Sequence, residues 1–137
     1  MTPLQGDVLF GTVRPHNQSH YRFSKLDIGR VCSTGFTVCT PEPCLLHSKF
    51  LLYFFFSGEC SKQVETMIAG SNYPAINSND VRSFELPLPP LPEQRAIAAV
   101  LSDLDASIGA VAARRAKVAA VKAGMMGALL TGRVRLV

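Results

Sequence analysis

The chain has 137 residues, the size of one ordinary domain, and its 47% hydrophobic and 18% charged content supports a buried core rather than disorder. The formal net charge is +4, and the surplus is local: residues 1–92 carry seven acids and seven bases, residues 93–137 three acids and seven bases. No basic stretch leading into an apolar one follows Met1, and the longest uninterrupted apolar run, 50–56, is far short of the roughly 20 residues of a membrane span, so a secretory leader and a membrane segment are excluded and a cytoplasmic protein is expected.

In chain order, Asp7–Val13 and Gly35–Thr40 are β-branched, aromatic and bounded by Gly or Pro, which predicts two strands. Between them, Pro15-His16-Asn17-Gln18-Ser19-His20-Tyr21-Arg22 reads as a polar loop in a locally basic stretch that also holds Arg14, Lys25 and Arg30. Phe50, Phe54, Val64 and Ile68 fall at helical intervals, which predicts helices over Leu45–Ser57 and Glu59–Ala69, ended by Gly58 and Gly70. The Phe54-Phe55-Phe56 run keeps a strand open as the alternative for the first of these. Residues 71–77 read as a loop or short strand, and Ser78-Asn79-Asp80 offers capping oxygens for a brief helical turn.

Leu86-Pro87-Leu88-Pro89-Pro90-Leu91-Pro92 is a stiff connector, because its prolines remove backbone donors and force extended geometry. Pro92 suits the first position of a helix, and Glu93 places a carboxylate where the helix dipole favours it. From there Ile97, Leu101, Leu104, Ile108, Val111, Arg115, Val118, Lys122, Met125 and Leu129 recur at alternating spacings of four and three, a heptad pattern with cations at two positions. A helix over 93–130 rises roughly 57 Å, more than a small domain needs to cover its own core, so it calls for a partner helix. A helix broken at Gly109 or Gly124 and folded back on residues 1–92 is the alternative. The division expected is a domain at 1–86, a connector at 87–92, the helix at 93–130 and a tail at 131–137.

Chemistry is harder to find. The chain has no Gly-x-Gly-x-x-Gly, phosphate loop, Gly-x-Ser-x-Gly or His-Glu-x-x-His sequence. Cys32, Cys39, Cys44 and Cys60 form no Cys-x-x-Cys and are not spaced with His16, His20 and His47 as zinc ligands are, so no metal site is expected and the thiols read as reduced, small apolar residues. Cys44 and His47 make a nucleophile–base pair only on paper, since no oxyanion donors accompany them. An enzyme is not expected.

Taken together, Gly6–Pro15, Cys32–Phe36, Gly70–Val81 and Pro87–Arg95, followed by a long helix closing with Leu129-Leu130-Thr131-Gly132, resemble the specificity (S) subunit of type I restriction-modification systems. The resemblance implies an α+β fold: a small, mixed α/β target recognition domain, partial because the segment usually preceding Gly6-Asp7 is missing, then one long coiled-coil-like helix. It implies a non-catalytic protein that reads half of a bipartite target in double-stranded DNA. Its partners would be methylation (M) and restriction (R) subunits, to which S-adenosylmethionine, ATP and Mg belong, so that the chain itself needs no cofactor. One recognition domain with one helix implies a homodimer, or pairing with another S fragment, through the heptad face. A truncated fragment that only dimerises or binds the methylation subunit is the alternative. The DNA-contact candidates are Arg14, His16, Asn17, His20, Tyr21, Arg22 and Lys25, with Asn72 and Tyr73 as a second loop.

Overall fold

The computed structural model describes residues 2–27, 29–68 and 74–136, and the chain divides into two compact units, Met1–Ala99 and Val100–Val137. The class is α+β, as expected. In the first unit β1 (Val8–Gly11) is the centre of an antiparallel sheet, flanked by β2 (Tyr21–Arg22) and β3 (Phe36–Cys39). The register pairs Val8 with Arg22 and Leu9 with Tyr21 on one side, and Val8 with Cys39 through Gly11 with Phe36 on the other. All four β1 residues are buried, because the strand has a neighbour on each edge.

Three short helices cover the sheet: α1 (Ser48–Phe55), α2 (Gly58–Met67) and α3 (Ser78–Arg82). Val8 and Phe10 meet Leu51, Phe54, Phe55, Cys60, Val64, Ile76 and Val81 in one apolar cluster. Within it the Phe10 ring stands edge-on to Phe55 at 4.9 Å and to Phe84 at 5.3 Å, the arrangement ring quadrupoles favour. Both helices predicted over 45–69 are present but shorter, and Gly58 opens α2 instead of closing α1. Ser57 decides this: its hydroxyl accepts the Cys60 N–H at 3.2 Å, capping a helix whose first turn also carries Glu59. Gly70, the other expected terminator, lies outside the described residues. The cap of α3 is Asn77, which accepts from the Asn79 and Asp80 N–H groups while its own N–H donates to the Asp80 carboxylate at 2.7 Å.

The segment read as a polar loop is more ordered than its composition indicates. It contains a 3-10 turn, Pro15–Asn17, and then β2. Beyond it, Val13 pairs with Ala75 in an isolated bridge.

α4 runs without a break from Leu91 to Leu129, so Leu91 and Pro92 already belong to it and Gly109 and Gly124 interrupt nothing. In its first turn the N–H groups of Glu93 and Gln94 donate to the Pro90 carbonyl. At 39 residues it rises roughly 58 Å. By length and composition alone α4 is also apolar enough to cross a membrane, with a mean hydropathy of 1.6 in its most apolar window, a test that a single helix passes without being a span. A search for uninterrupted apolar runs overlooks such a helix, because alanines raise the average between isolated charges.

Candidate functional site

The turn after β1 is held from several sides. The Arg14 N–H donates to the Pro74 carbonyl at 2.9 Å, and the Asn17 and Gln18 N–H groups donate back to Arg14 and Pro15, both at 2.9 Å. The Gly11 N–H donates to His20 Nδ1 at 3.3 Å, and the His20 ring stacks on Phe10 with centroids 4.3 Å apart. A Cβ at Gly11 would stand 3.1 Å from the Ser19 carbonyl oxygen, so the returning chain needs glycine there. Burial against Phe10, Phe55 and Phe56 pushes the His20 pKa down to about 4, so its ring is neutral near pH 7 and accepts at Nδ1. Pro15 is buried, whereas Arg14, His16, Asn17 and Gln18 are exposed at the tip.

The remaining sequence candidates sit on and after β2. Tyr21 is exposed at its ring, but its hydroxyl donates to Asp27 Oδ2 at 2.7 Å. The Ser24 hydroxyl and N–H donate to the same oxygen, and these bonds, the Ser24 hydroxyl first, hold the Asp27 carboxyl below its ordinary range. Arg30 completes the group at 3.4 Å from Asp27 Oδ1. Arg22 donates through Nε to the Ser48 hydroxyl at 2.8 Å, tying β2 to the first residue of α1. Lys25 is exposed in the 3-10 turn Lys25–Asp27. Arg14, His16, Asn17 and His20 thus share one turn, with Tyr21, Arg22 and Lys25 following on the adjoining strand and turn. Asn72 and Tyr73 lie outside the described residues.

A residue that the heptad reading passes over anchors the start of α4. Gln94 is fully buried, and its side chain makes three hydrogen bonds: Nε2 donates to the Leu45 carbonyl at 2.9 Å and to the Pro89 carbonyl at 2.8 Å, while Oε1 accepts the His47 N–H at 2.8 Å. Its neighbour one turn on, Ala98, is also buried. Periodicity could not flag a glutamine, but its place directly after the Pro-Glu junction was a signal. Farther along, Leu104, Ile108, Val111, Val118 and Met125 are between 55% and 68% exposed, an unusual surface for apolar side chains in one row. Arg115 and Lys122 are exposed in the same row; Ile97, Leu101 and Leu129 are half-buried.

Three of the thiols are held in protonated form. Burial pushes Cys39 and Cys60 up to about 11, and Cys44 donates to Glu42 at 3.3 Å, which raises it too. Among the described residues no three His, Cys, Asp or Glu side chains converge as metal ligands, and His47 Nδ1, buried, has no hydrogen-bond partner.

Comparison with known proteins gives a consistent picture. A family model, the type I restriction modification DNA specificity domain, matches residues 3–120. A putative type I restriction enzyme MjaX specificity subunit of Methanocaldococcus jannaschii is 32% identical over 83 residues, which is 61% of this chain and 20% of that protein. The crystal structure of an HsdS subunit from Thermoanaerobacter tengcongensis superposes with a TM-score of 0.72 at 32% identity, covering 91% of this chain and 32% of that one. A chain from a structure of type I R-M complex assembly and conformational transition gives 0.73 with the same identity and coverage. The chain therefore spans between a fifth and a third of the length of these relatives.

Proposed function

Because this chain belongs to the type I restriction-modification DNA specificity family, we propose that it is a non-catalytic module, working in the cytoplasm, that reads one half of a bipartite target in double-stranded DNA and docks a methylation subunit. The observation that carries this reading is the turn at Arg14–Gln18, whose backbone is fixed by hydrogen bonds at both ends while its polar side chains stand exposed. A rigid base with exposed polar ends meets both needs of recognition: phosphate contacts to set position and base-edge contacts to discriminate. Arg14, Arg22 and Lys25 supply charge for the phosphates. His16 and Asn17 supply donors and acceptors for base edges, and Asn72 and Tyr73 are further candidate contacts.

The helix supplies the second part of the proposal. An exposed apolar row with Arg115 and Lys122 in it suits another helix better than lipid, since Asp103 and Asp105 in the same helix would each cost about 2.5–3.5 kcal/mol near a bilayer centre. Two copies paired antiparallel along this row would carry two identical readers, and their target would be a symmetric sequence with a fixed gap. S-adenosylmethionine, ATP and Mg would then be handled by the methylation and restriction subunits. The exposed row also favours a second reading, in which the chain acts only through helix pairing and reads no DNA.

Binding of the purified chain to duplex DNA across a salt series separates the two. Each lost phosphate contact lowers the log–log salt slope by about 0.9, so Arg14→Ala and Arg22→Ala should each flatten it by close to that amount. A slope that neither substitution alters would refute the assignment of this loop, and absence of DNA binding would leave the pairing function alone.

A further inference from the structure

We infer that Gln18 is the side chain by which the turn discriminates base pairs, and that it reads an A·T pair from the major groove; this rests on the DNA-reading function proposed above. The non-glycine residues described at positive φ are Arg14 (φ 49°, ψ 59°) and Gln18 (φ 47°, ψ 44°), one at each end of the turn Pro15–Asn17. That conformation crowds Cβ against the neighbouring carbonyl, and chains ordinarily place glycine or asparagine there. At Gln18 it is enforced from both directions: its N–H donates to the Pro15 carbonyl at 2.9 Å, and its carbonyl accepts the His20 N–H at 2.8 Å. His20 is itself locked by its stack on Phe10 and its bond from Gly11.

The backbone is thus fully used while the side chain is not. Gln18 is exposed, and its amide makes no hydrogen bond among the described residues. A glycine would satisfy the fold at less cost, so the glutamine is explained by something outside the chain. Backbone strain kept at an exposed, unpartnered polar side chain is a mark of a functional position. A primary amide offers one acceptor and two donors from a planar head, the complement of adenine N6 and N7 in the major groove. Arg14, at the opposite end of the same rigid turn, places a cation where it could grip the backbone beside that pair.

The test is selection of binding sites by the full chain from a random-sequence duplex library, with wild type, Gln18→Gly and Gln18→Arg in parallel. Wild type should enrich A·T at one column. Gln18→Gly should lose enrichment at that column alone, keep the salt slope, and melt roughly 5 °C higher because glycine adopts this φ without strain. Gln18→Arg should move the same column to G·C, since a guanidinium is bidentate to guanine O6 and N7. Identical columns in all three proteins would overturn the assignment and leave DNA reading intact. Loss of every column in a folded Gln18→Gly would overturn it too, because the residue would then hold the loop rather than read a base. If wild type enriches no sequence, DNA reading itself fails, and this inference with it.

Discussion

Replacing Gln94 by leucine removes three part-buried hydrogen bonds made by a fully buried side chain, and the structure sets the scale of the loss. The leucine leaves the Leu45 and Pro89 carbonyls and the His47 N–H without the side-chain partner they have in the native protein. Each bond contributes about 1 kcal/mol net, and a partner group left unsatisfied and cut off from water adds to that, so a total of roughly 3 kcal/mol or more is expected. Domains of this kind have only about 5–15 kcal/mol in reserve. In a unit of roughly 100 residues 1 kcal/mol moves the melting point by about 4–8 °C, so the midpoint should fall by at least about 12 °C. Tyrosine fluorescence is the assay: the chain has no tryptophan, and Tyr21, Tyr53 and Tyr73 all lie in the first unit. Gln94→Glu sharpens the test, because the carboxylate keeps an acceptor for His47 but sets a negative oxygen against two carbonyls. Its defect should be largest at neutral pH and ease in acid, where protonation restores one donor. A Gln94→Leu protein melting within about 2 °C of wild type would refute the account of this joint.

Two further outcomes follow from the geometry. Leu104→Asp puts an acid at the first position of the exposed apolar row and should convert a self-associating chain to monomer in sedimentation velocity; a dimer indifferent to it contradicts pairing through this face. His20 is held neutral in the fold down to a pH of about 4, while in the unfolded chain it titrates near its ordinary value of 6.5, so the unfolded state binds more protons between those limits. Stability should therefore decline as pH falls from about 6.5 to 4, and His20→Phe should flatten that limb of the urea midpoint against pH. A His20→Phe curve parallel to that of wild type would show that burial of this ring is not the cause.

The elements legible in the sequence were those whose cause is periodic or local. The heptad row and the Pro-Glu start made α4 readable almost to the residue, and β-branched runs bounded by glycine marked β1 and β3. β2 was not readable, because Tyr21-Arg22 is two residues of polar character and becomes a strand only by pairing with β1 across the turn. Gly58 misled for a similar reason: a glycine after an apolar run signals a stop, yet the Ser57 hydroxyl made it a beginning. In the candidate site, composition singled out residues 15–22 by their polar side chains. It could not show that the His20 ring is folded inward and the Tyr21 hydroxyl is engaged by Asp27, or that Gln18 takes a left-handed backbone, since these depend on contacts from residues up to 36 positions away, such as Phe56.

The bonding of Gln94 has a consequence for how such a domain can change. Its three partners are main-chain groups, two carbonyls and one N–H, which every residue except proline supplies alike. The attachment of α4 therefore makes no demand on the identity of the side chains at Leu45 or His47, only on the path of the chain. Substitutions at those positions can accumulate while the same first turn of α4 remains bonded to the chain. The joint works as a socket of fixed gauge, indifferent to the side chains around it.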